Sequence, residues 1–502
     1  MNCKATLHTS DFIFMAAGSE AASIAAPYRS FAISNWLLLA SDTLPVSRVF
    51  DARGRDVGLL LGYWLSSECE GQLSPASLTI PLEIGTAETD DLAEWLLIHC
   101  LGRYAFILAP AEGGLRFYPD ASGSLSAVFQ NTSRTIASRP ALCHSTVESS
   151  NEDELSDELR NIRLRSGTWY PLGFCGGSDI RVILPNHYLN VEAWRIRRFW
   201  SYGPVLIDER AGAIERAIRT ISDDIARVIT CVDRYHPLTL SLTSGRDSRM
   251  VLACCPRHIL RRVSFHTLPD HSEADVQVAR LLAAHFSLSL DVKDNPPSNR
   301  VLVQGVGGEV GRCFYWKETD FRQTEPTIDD LTERLGWGDV SHPLVRKALT
   351  EWMSGLKGAS WLRVLDLAYI ELRVACAHAP AMYDHDRVTM FSLYPMNSRS
   401  IFSAMLSLPE KWRYRHGLFR SVIKLNWSEL ITFPLHSSHW TSWGKYRALL
   451  SYVRYRSRWN EAQRMAFMKV ATANRSFTRT VADDVRRVTR RVGSLIVNRR
   501  SG

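Results

Sequence analysis

The chain is expected to fold as an α/β protein with a sheet-containing first domain, a second domain around a parallel sheet and a helical C-terminal region. Three observations predict this. Short β-rich runs separated by Gly, Asp and Pro dominate the first 200 residues. From Ile214 the apolar period changes to that of a helix. Strands then alternate with helices from Leu238 to Lys293, the pattern of βαβ units and hence of parallel strands. At 502 residues the chain exceeds one core, since domains run to roughly 100 to 200 residues each. The expected domains are residues 1–200, 201–440 and 441–502.

In chain order, GRYAFILAP (Gly102 to Pro110), GLRFYPDASGSLSAVFQ (Gly114 to Gln130) and DIRVILPNHYLNV (Asp179 to Val191) read as strands of the first domain. The acidic stretch Ser145 to Arg163 gains helical character in its second half and suits the surface. Ile214, Ile218, Ile221, Ile225 and Val228 succeed one another at steps of three and four, which places them on one helical face. A strand (Leu238 to Leu242), a polar turn, a helix (Ser248 to about Pro256), a strand (Val263 to Leu268), a helix (Glu273 to His285) and a strand (Ser289 to Lys293) follow. Beyond Asp329 the pattern is mostly helical and rich in Trp and Arg.

Composition bounds the function. With 45% apolar and 22% charged residues the chain is ordinary globular protein, and no apolar run approaches 18 residues, so no membrane span is expected. The ten cysteines contain no C-x-x-C and suit neither a zinc site nor a disulfide framework, so a reduced, cytoplasmic protein is expected. The net charge of +8 is a property of the tail: Thr441 to Gly502 carries 15 Lys and Arg against 3 Asp and Glu, and the preceding residues sum to −4. Such a tail reads as a solvated basic face or as a docking surface for an acidic protein or peptide.

The turn Thr243-Ser244-Gly245-Arg246-Asp247-Ser248 lies at the carboxyl end of a parallel strand, where ligands of such sheets bind. Successive N–H groups and the positive end of a helix dipole suit phosphate there. Thr243 and Ser248 add hydroxyls, Gly245 admits close approach, and Asp247 suits a Mg²⁺ ion between carboxylate and phosphate. The spacing is not that of a Walker A loop. The alternative is an ordinary βα turn with Asp247 capping the helix.

The turn resembles the S-G-G-x-D-S pyrophosphate loop of the N-type ATP pyrophosphatases, in particular of the asparagine synthetase B family, which includes β-lactam synthetases and the macrolactam-forming cyclases of lasso peptides. Other segments extend the resemblance in the family's order across roughly residues 100 to 435. GRYAFILAP, FYPDASGSLSAVFQ and DIRVILPNHYLNVEAWRIRRFW resemble parts of its glutaminase-like (Ntn-type) αββα first domain. VSFHTLPDHSEADVQVARLLAAHFSLSLDV resembles its next strand and acidic helix start, here at Asp275. GVGGEVGR and YPMNSRSIFSAMLSLPEKWRYRHGLFRSVIK resemble its G-x-G-x-D-E loop and its C-terminal P-F-x-D and K-x-x-L-R segments.

The resemblance implies an AMP-forming amide ligase that uses ATP and Mg²⁺. Thr243, Ser244, Gly245, Arg246, Asp247 and Ser248 would bind ATP, Asp247 and Glu309 the metal, and Arg420 and Lys424 would stand where the family has its catalytic lysine and arginine. Three departures refine the expectation. The chain begins Met1-Asn2-Cys3, so no terminal cysteine is expected and the first domain reads as a scaffold without glutaminase activity. The second metal position offers Gly308-Glu309 in place of Asp. Phe391 occupies the position of the family's acid/base glutamate. The implied substrate is a carboxylate, such as a peptide closing to a macrolactam, or a sugar acid or small carboxylate amidated with free ammonia. A silent scaffold and an RNA-modifying relative are the competing classes, and nucleic acid is not the expected partner.

Overall fold

The computed structural model describes residues 9–18, 28–69, 71–85, 88–109, 114–143, 154–200, 207–208, 210–270, 272–322, 327–433, 435, 457, 459–461 and 464–465. The protein is mixed α/β and divides into two interleaved units, one of residues 1–237 and 297–419, the other of residues 238–296 and 420–502.

Among the described residues the first unit opens with thirteen strands: β1 (Phe12–Ala16), β2 (Tyr28–Ile33), β3 (Trp36–Ser41), β4 (Val46–Phe50), β5 (Asp56–Ser66), β6 (Ser77–Thr79), β7 (Cys100–Leu108), β8 (Arg116–Pro119), β9 (Val128–Gln130), β10 (Thr135–Ala137), β11 (Ile180–Val182), β12 (His187–Asn190) and β13 (Arg195–Arg198). They form a six-stranded sheet in the order β11-β9-β10-β1-β3-β2 and a seven-stranded sheet in the order β13-β12-β8-β7-β5-β4-β6. Pairing is antiparallel except between β4 and β6. Strand β1 explains how the layers meet. Alternate side chains of a strand face opposite ways, and here Phe12 stacks on Phe117 of β8 with ring centroids 5.9 Å apart and Phe14 meets the same ring tilted at 6.5 Å, while Ile13 and Met15 pack with Leu39, Val128, Leu142 and Val182. Strand β1 is therefore apolar on both faces. In the partner sheet, β5 and β7 approach so closely that a Cβ on Gly62 or Gly102, both at positive φ, would lie 2.3 Å from a carbonyl of the other strand.

Two helices, α1 (Thr89–His99) and α2 (Glu154–Ser166), interrupt these strands, and α3 (Ala213–Tyr235) follows them. On α3, Ile218, Ile221, Ile225 and Val228 are buried, as the step of three and four predicts. The unit resumes with β17 (Val301–Val303) and β18 (Phe391–Leu393), which pair in parallel, and with helices α6 (Ile328–Leu335), α7 (Pro343–Ser354), α8 (Trp361–Leu367), α9 (Ala379–Asp386), α10 (Arg399–Leu406) and α11 (Glu410–Tyr414). A π-helical stretch, Ala368–His378, joins α8 to α9.

Buried charge fastens the late elements of this unit to the early sheets. Arg103 on β7 donates to Asp386 Oδ2 at 2.6 Å, and Asp386 also receives Ser10 Oγ, Ser392 N and Ser392 Oγ. Glu371, in the π-helical stretch, accepts both ends of the Arg198 guanidinium, together with Asn186 Nδ2 and Trp352 Nε1. Beside it, burial and then the charge of Arg198 push the His187 imidazole down to about 4, while its Nδ1 engages the Pro185 carbonyl. Folded His187 is thus neutral above about pH 4, whereas the unfolded residue takes up a proton below about pH 6.5. Its contribution is complete above pH 6.5 and is lost as pH falls towards 4, amounting to about 3 kcal/mol at the end of that window. His187→Asn, which keeps a donor, is expected to flatten the fall in urea midpoint between pH 7 and 4.5. An unchanged pH profile refutes this account.

The second unit contains β14 (Leu238–Ser241), α4 (Arg246–Cys254), β15 (Ser264–Thr267), α5 (Glu273–Phe286) and β16 (Ser289–Val292), followed after residue 419 by most of α12 (Gly417–Trp427) and the segment to Phe433. β14 pairs in parallel with β15 and β15 with β16, so two βαβ units stand in succession. Cys254 and Cys255 are core, 4% and 2% exposed. The end of α5 is tied to the C-terminal segment by His285, which receives Trp459 Nε1 on its Nδ1 and therefore donates through Nε2 to Glu429. No described helix is long and apolar enough to cross a membrane.

Candidate functional site

The polar turn lies at the carboxyl end of β14, and its residues are held by each other and by the start of α5. Leu242 N donates to His266 O, which continues the parallel pairing to the edge of the turn. Thr243 N donates to Ser248 Oγ at 3.2 Å, the two hydroxyls lie 3.0 Å apart, and Gly245 N donates to Thr243 Oγ1 at 3.1 Å. A Cβ at position 245 would sit 3.1 Å from Thr243 Oγ1, tighter than side-chain contacts usually are, so glycine keeps the centre of the turn open.

Helix α4 starts at Arg246, two residues before its expected start, because Gly245 in extended conformation (φ −65°, ψ 164°) serves as its N-cap. Arg246, Asp247 and Ser248 are consequently its first turn and carry the dipole's positive end. Asp247 does not act as the N-cap, and Gly245 supplies no capping side chain. The turn thus gathers the hydroxyls of Thr243 and Ser248, besides that of Ser244, with the backbone N–H groups of a helix N-terminus and the carboxylate of Asp247.

Asp275 sets the shape. Ser244 is fully buried and donates to Asp275 Oδ1 through both N (3.1 Å) and Oγ (2.6 Å). Asp275 is itself the third residue of α5, its N–H donating to the N-cap Ser272, whose Oγ returns a bond to Oδ2. One carboxylate therefore locks the turn to the N-terminus of the next helix. Behind the turn, Arg249 is 1% exposed and donates to the carbonyls of Leu430, Phe433 and, at 3.4 Å, Ser244. Burial, then the charge of Arg246, lowers its guanidinium to about 9. The role of Arg249 escaped the sequence reading because Ser248 to Cys254 are buried without interruption and leave no polar face on which a buried arginine stands out.

The other expected site residues stand on other elements. Arg420 and Lys424 are exposed and four residues apart on α12, so they share a face. Glu309 belongs to the first unit, in a 3₁₀ turn (Gly308–Arg312), where its carboxylate accepts Gly307 N at 3.1 Å and lies 3.6 Å from Arg312. Phe391 is 2% exposed, stacked on Tyr63 at 3.6 Å and 4° and edge-on to His236, which makes it a packing residue. The basic region 441–502 lies outside the described residues apart from 457, 459–461 and 464–465, as does the Met1-Asn2-Cys3 terminus.

Among the described residues, no group of three or more His, Cys, Asp or Glu side chains is arranged to hold a metal ion. A magnesium ion carried by phosphates needs less, since it keeps several waters and takes only one or two carboxylates from the protein. The single hard carboxylate of Asp247 among phosphate-suited N–H groups fits that donor set. Compared with known proteins, the chain matches no protein-family model and no curated protein.

Proposed function

We propose that the protein is an ATP-dependent amide ligase whose nucleotide site is the turn Thr243 to Ser248, and that it belongs with the asparagine synthetase B-like enzymes in having a glutaminase-like αββα scaffold ahead of a pyrophosphatase-type domain. The observation that carries the reading is the turn itself, closing a parallel strand onto a helix N-terminus with Asp275 holding it from the next helix. Thr243 and Ser248 hydroxyls and the first N–H groups of α4 would receive the departing pyrophosphate. Asp247 would hold the magnesium ion, which when bound supplies charge neutralisation for the phosphates.

The reaction begins when an oxygen of the substrate carboxylate attacks the α-phosphorus and the bond to the β-phosphate oxygen breaks, giving an acyl-adenylate and pyrophosphate. An amine then attacks the acyl carbon, AMP leaves, and the amine gives up a proton. Arg420 and Lys424 would supply positive charge for the first step. Phe391 has no proton to move, so the amine's proton goes to another base or to solvent. Peptide macrolactam formation is the most concrete form of this chemistry, because the substrate then provides both carboxylate and amine.

ATP–pyrophosphate exchange in the presence of candidate carboxylates tests the reading. Substrate-dependent exchange is expected, and Ser248→Ala is expected to lower it about tenfold through loss of a hydrogen bond to a charged group. Absence of exchange with every carboxylate, together with ATP affinity indifferent to Ser248→Ala, refutes it. The packing of Phe391 favours a second reading, an ATP-binding scaffold without the second half-reaction. Exchange or ATP binding without any amide product would select it.

A further inference from the structure

A cavity of about 160 Å³ lies within the first unit, well removed in sequence from the turn, and is lined among the described residues chiefly by Trp169, Tyr170, Tyr383, Arg139, Asp384 and Arg387. Its interior and its mouth differ in chemistry. Inside, Tyr383 is 7% exposed with its hydroxyl donating to Ser126 O, and the Arg139 guanidinium is neutralised by Asp11, donating from Nε to Oδ1 at 3.0 Å and from Nη2 to Oδ2 at 2.9 Å. Both tyrosines are held protonated, burial pushing their phenols above the ordinary range. The interior is thus aromatic and without net charge. At the mouth stand Asp384, on α9, and Arg387, just after it, both exposed and three residues apart on one helical face. Trp169 is 37% exposed and forms a wall, with the Arg163 guanidinium 4.2 Å from its ring.

Size and charge together select a ligand. A dry cavity of about 150 Å³ accommodates a benzene ring, so this one admits a ring and leaves the polar remainder of a ligand at the entrance. There, among the lining residues, it meets one exposed cation, Arg387, and one exposed anion, Asp384. A simple acid would face Asp384 unfavourably and a simple amine would face Arg387, whereas a head group carrying both charges satisfies both. We propose that the cavity binds a free aromatic α-amino acid, its ring against Trp169, Tyr170 and Tyr383, its carboxylate at Arg387 and its ammonium at Asp384.

Calorimetric titration of the full chain, without nucleotide, with L-phenylalanine, benzoate and phenethylamine tests this independently of the ligase reading. Phenylalanine is expected to saturate the protein and to bind tighter than either fragment. Arg387→Ala should weaken phenylalanine and benzoate about threefold while sparing phenethylamine, and Asp384→Ala should weaken phenylalanine and phenethylamine while sparing benzoate, the size expected for exposed ion pairs. Trp169→Ala should weaken all three about tenfold through loss of ring contact. Both charged residues are exposed, so an unaltered thermal midpoint verifies that the variants fold. No saturable phenylalanine binding, benzoate binding as tightly as phenylalanine, or phenylalanine binding indifferent to both charge substitutions overturns the proposal.

Discussion

Glu371→Ala is expected to destabilise the first unit by about 3–5 kcal/mol, because it breaks a buried charge cluster by removing its only described carboxylate. Glu371 is 0% exposed, and four donors converge on it: Arg198 Nη1 at 2.8 Å, Arg198 Nη2 at 2.7 Å, Asn186 Nδ2 at 2.6 Å and Trp352 Nε1 at 2.6 Å. Burial alone would raise its pKa, but Arg198 and these bonds outweigh burial and hold it below the ordinary range, so the group is an anion in the folded protein. The alanine variant leaves a guanidinium, whose side chain is 9% exposed, inside a low-dielectric environment without that anion, and leaves the indole and amide donors without their acceptor. Glu371→Gln keeps one acceptor and the shape while turning the other oxygen into a donor that faces two donors, Arg198 Nη2 and Trp352 Nε1 at one position or Arg198 Nη1 and Asn186 Nδ2 at the other, so its cost should be smaller but not zero. Urea denaturation read by tryptophan fluorescence provides the check. A midpoint for Glu371→Ala within error of the parent's would mean that the cluster contributes nothing.

The cluster also marks where sequence reading stops. Alternation of strand and helix from Leu238 to Val292 was legible because each element has its own apolar period and the punctuation between them is polar. The helical face of α3 was legible for the same reason. By contrast, the π-helical stretch containing Glu371 reads as ordinary helix, since a wider turn changes hydrogen-bond partners without changing residue preference. The partition into units is equally hidden. Residues 238–296 cluster with the chain after 419, while 297–419 cluster with the first 237. The polar run Lys293 to Asn299, with its Pro296-Pro297 pair, announces a loop at one of the three crossings, but nothing in it says which elements pack together. Local preference fixes elements, whereas the choice of which elements pack together depends on contacts far apart in sequence. Of the site, the turn and Asp275 were visible as residues, but the bond from Asp275 back to Ser244 spans 31 positions and could be found only in three dimensions.

That bond yields the second large effect. Asp275→Ala is expected to reduce ATP–pyrophosphate exchange about 10²-fold, because a displacement of about 1 Å at a reacting centre costs that much in rate, and to lower the thermal midpoint by a few degrees, because two buried donors lose their acceptor. The buried Ser244 loses the acceptor of both its N–H and its hydroxyl, and the turn's first half is freed from α5. Ser272 remains the cap of α5, so the helix keeps its start and the loss is confined to the turn. Asp275→Asn separates shape from charge: its Oδ1 can still receive both bonds from Ser244, and Ser272 Oγ can accept from the new amide. The asparagine variant should therefore recover most of the exchange lost in the alanine variant. If asparagine and alanine are equally impaired, the negative charge matters rather than the bonds, and if neither is impaired, the turn is not the nucleotide site.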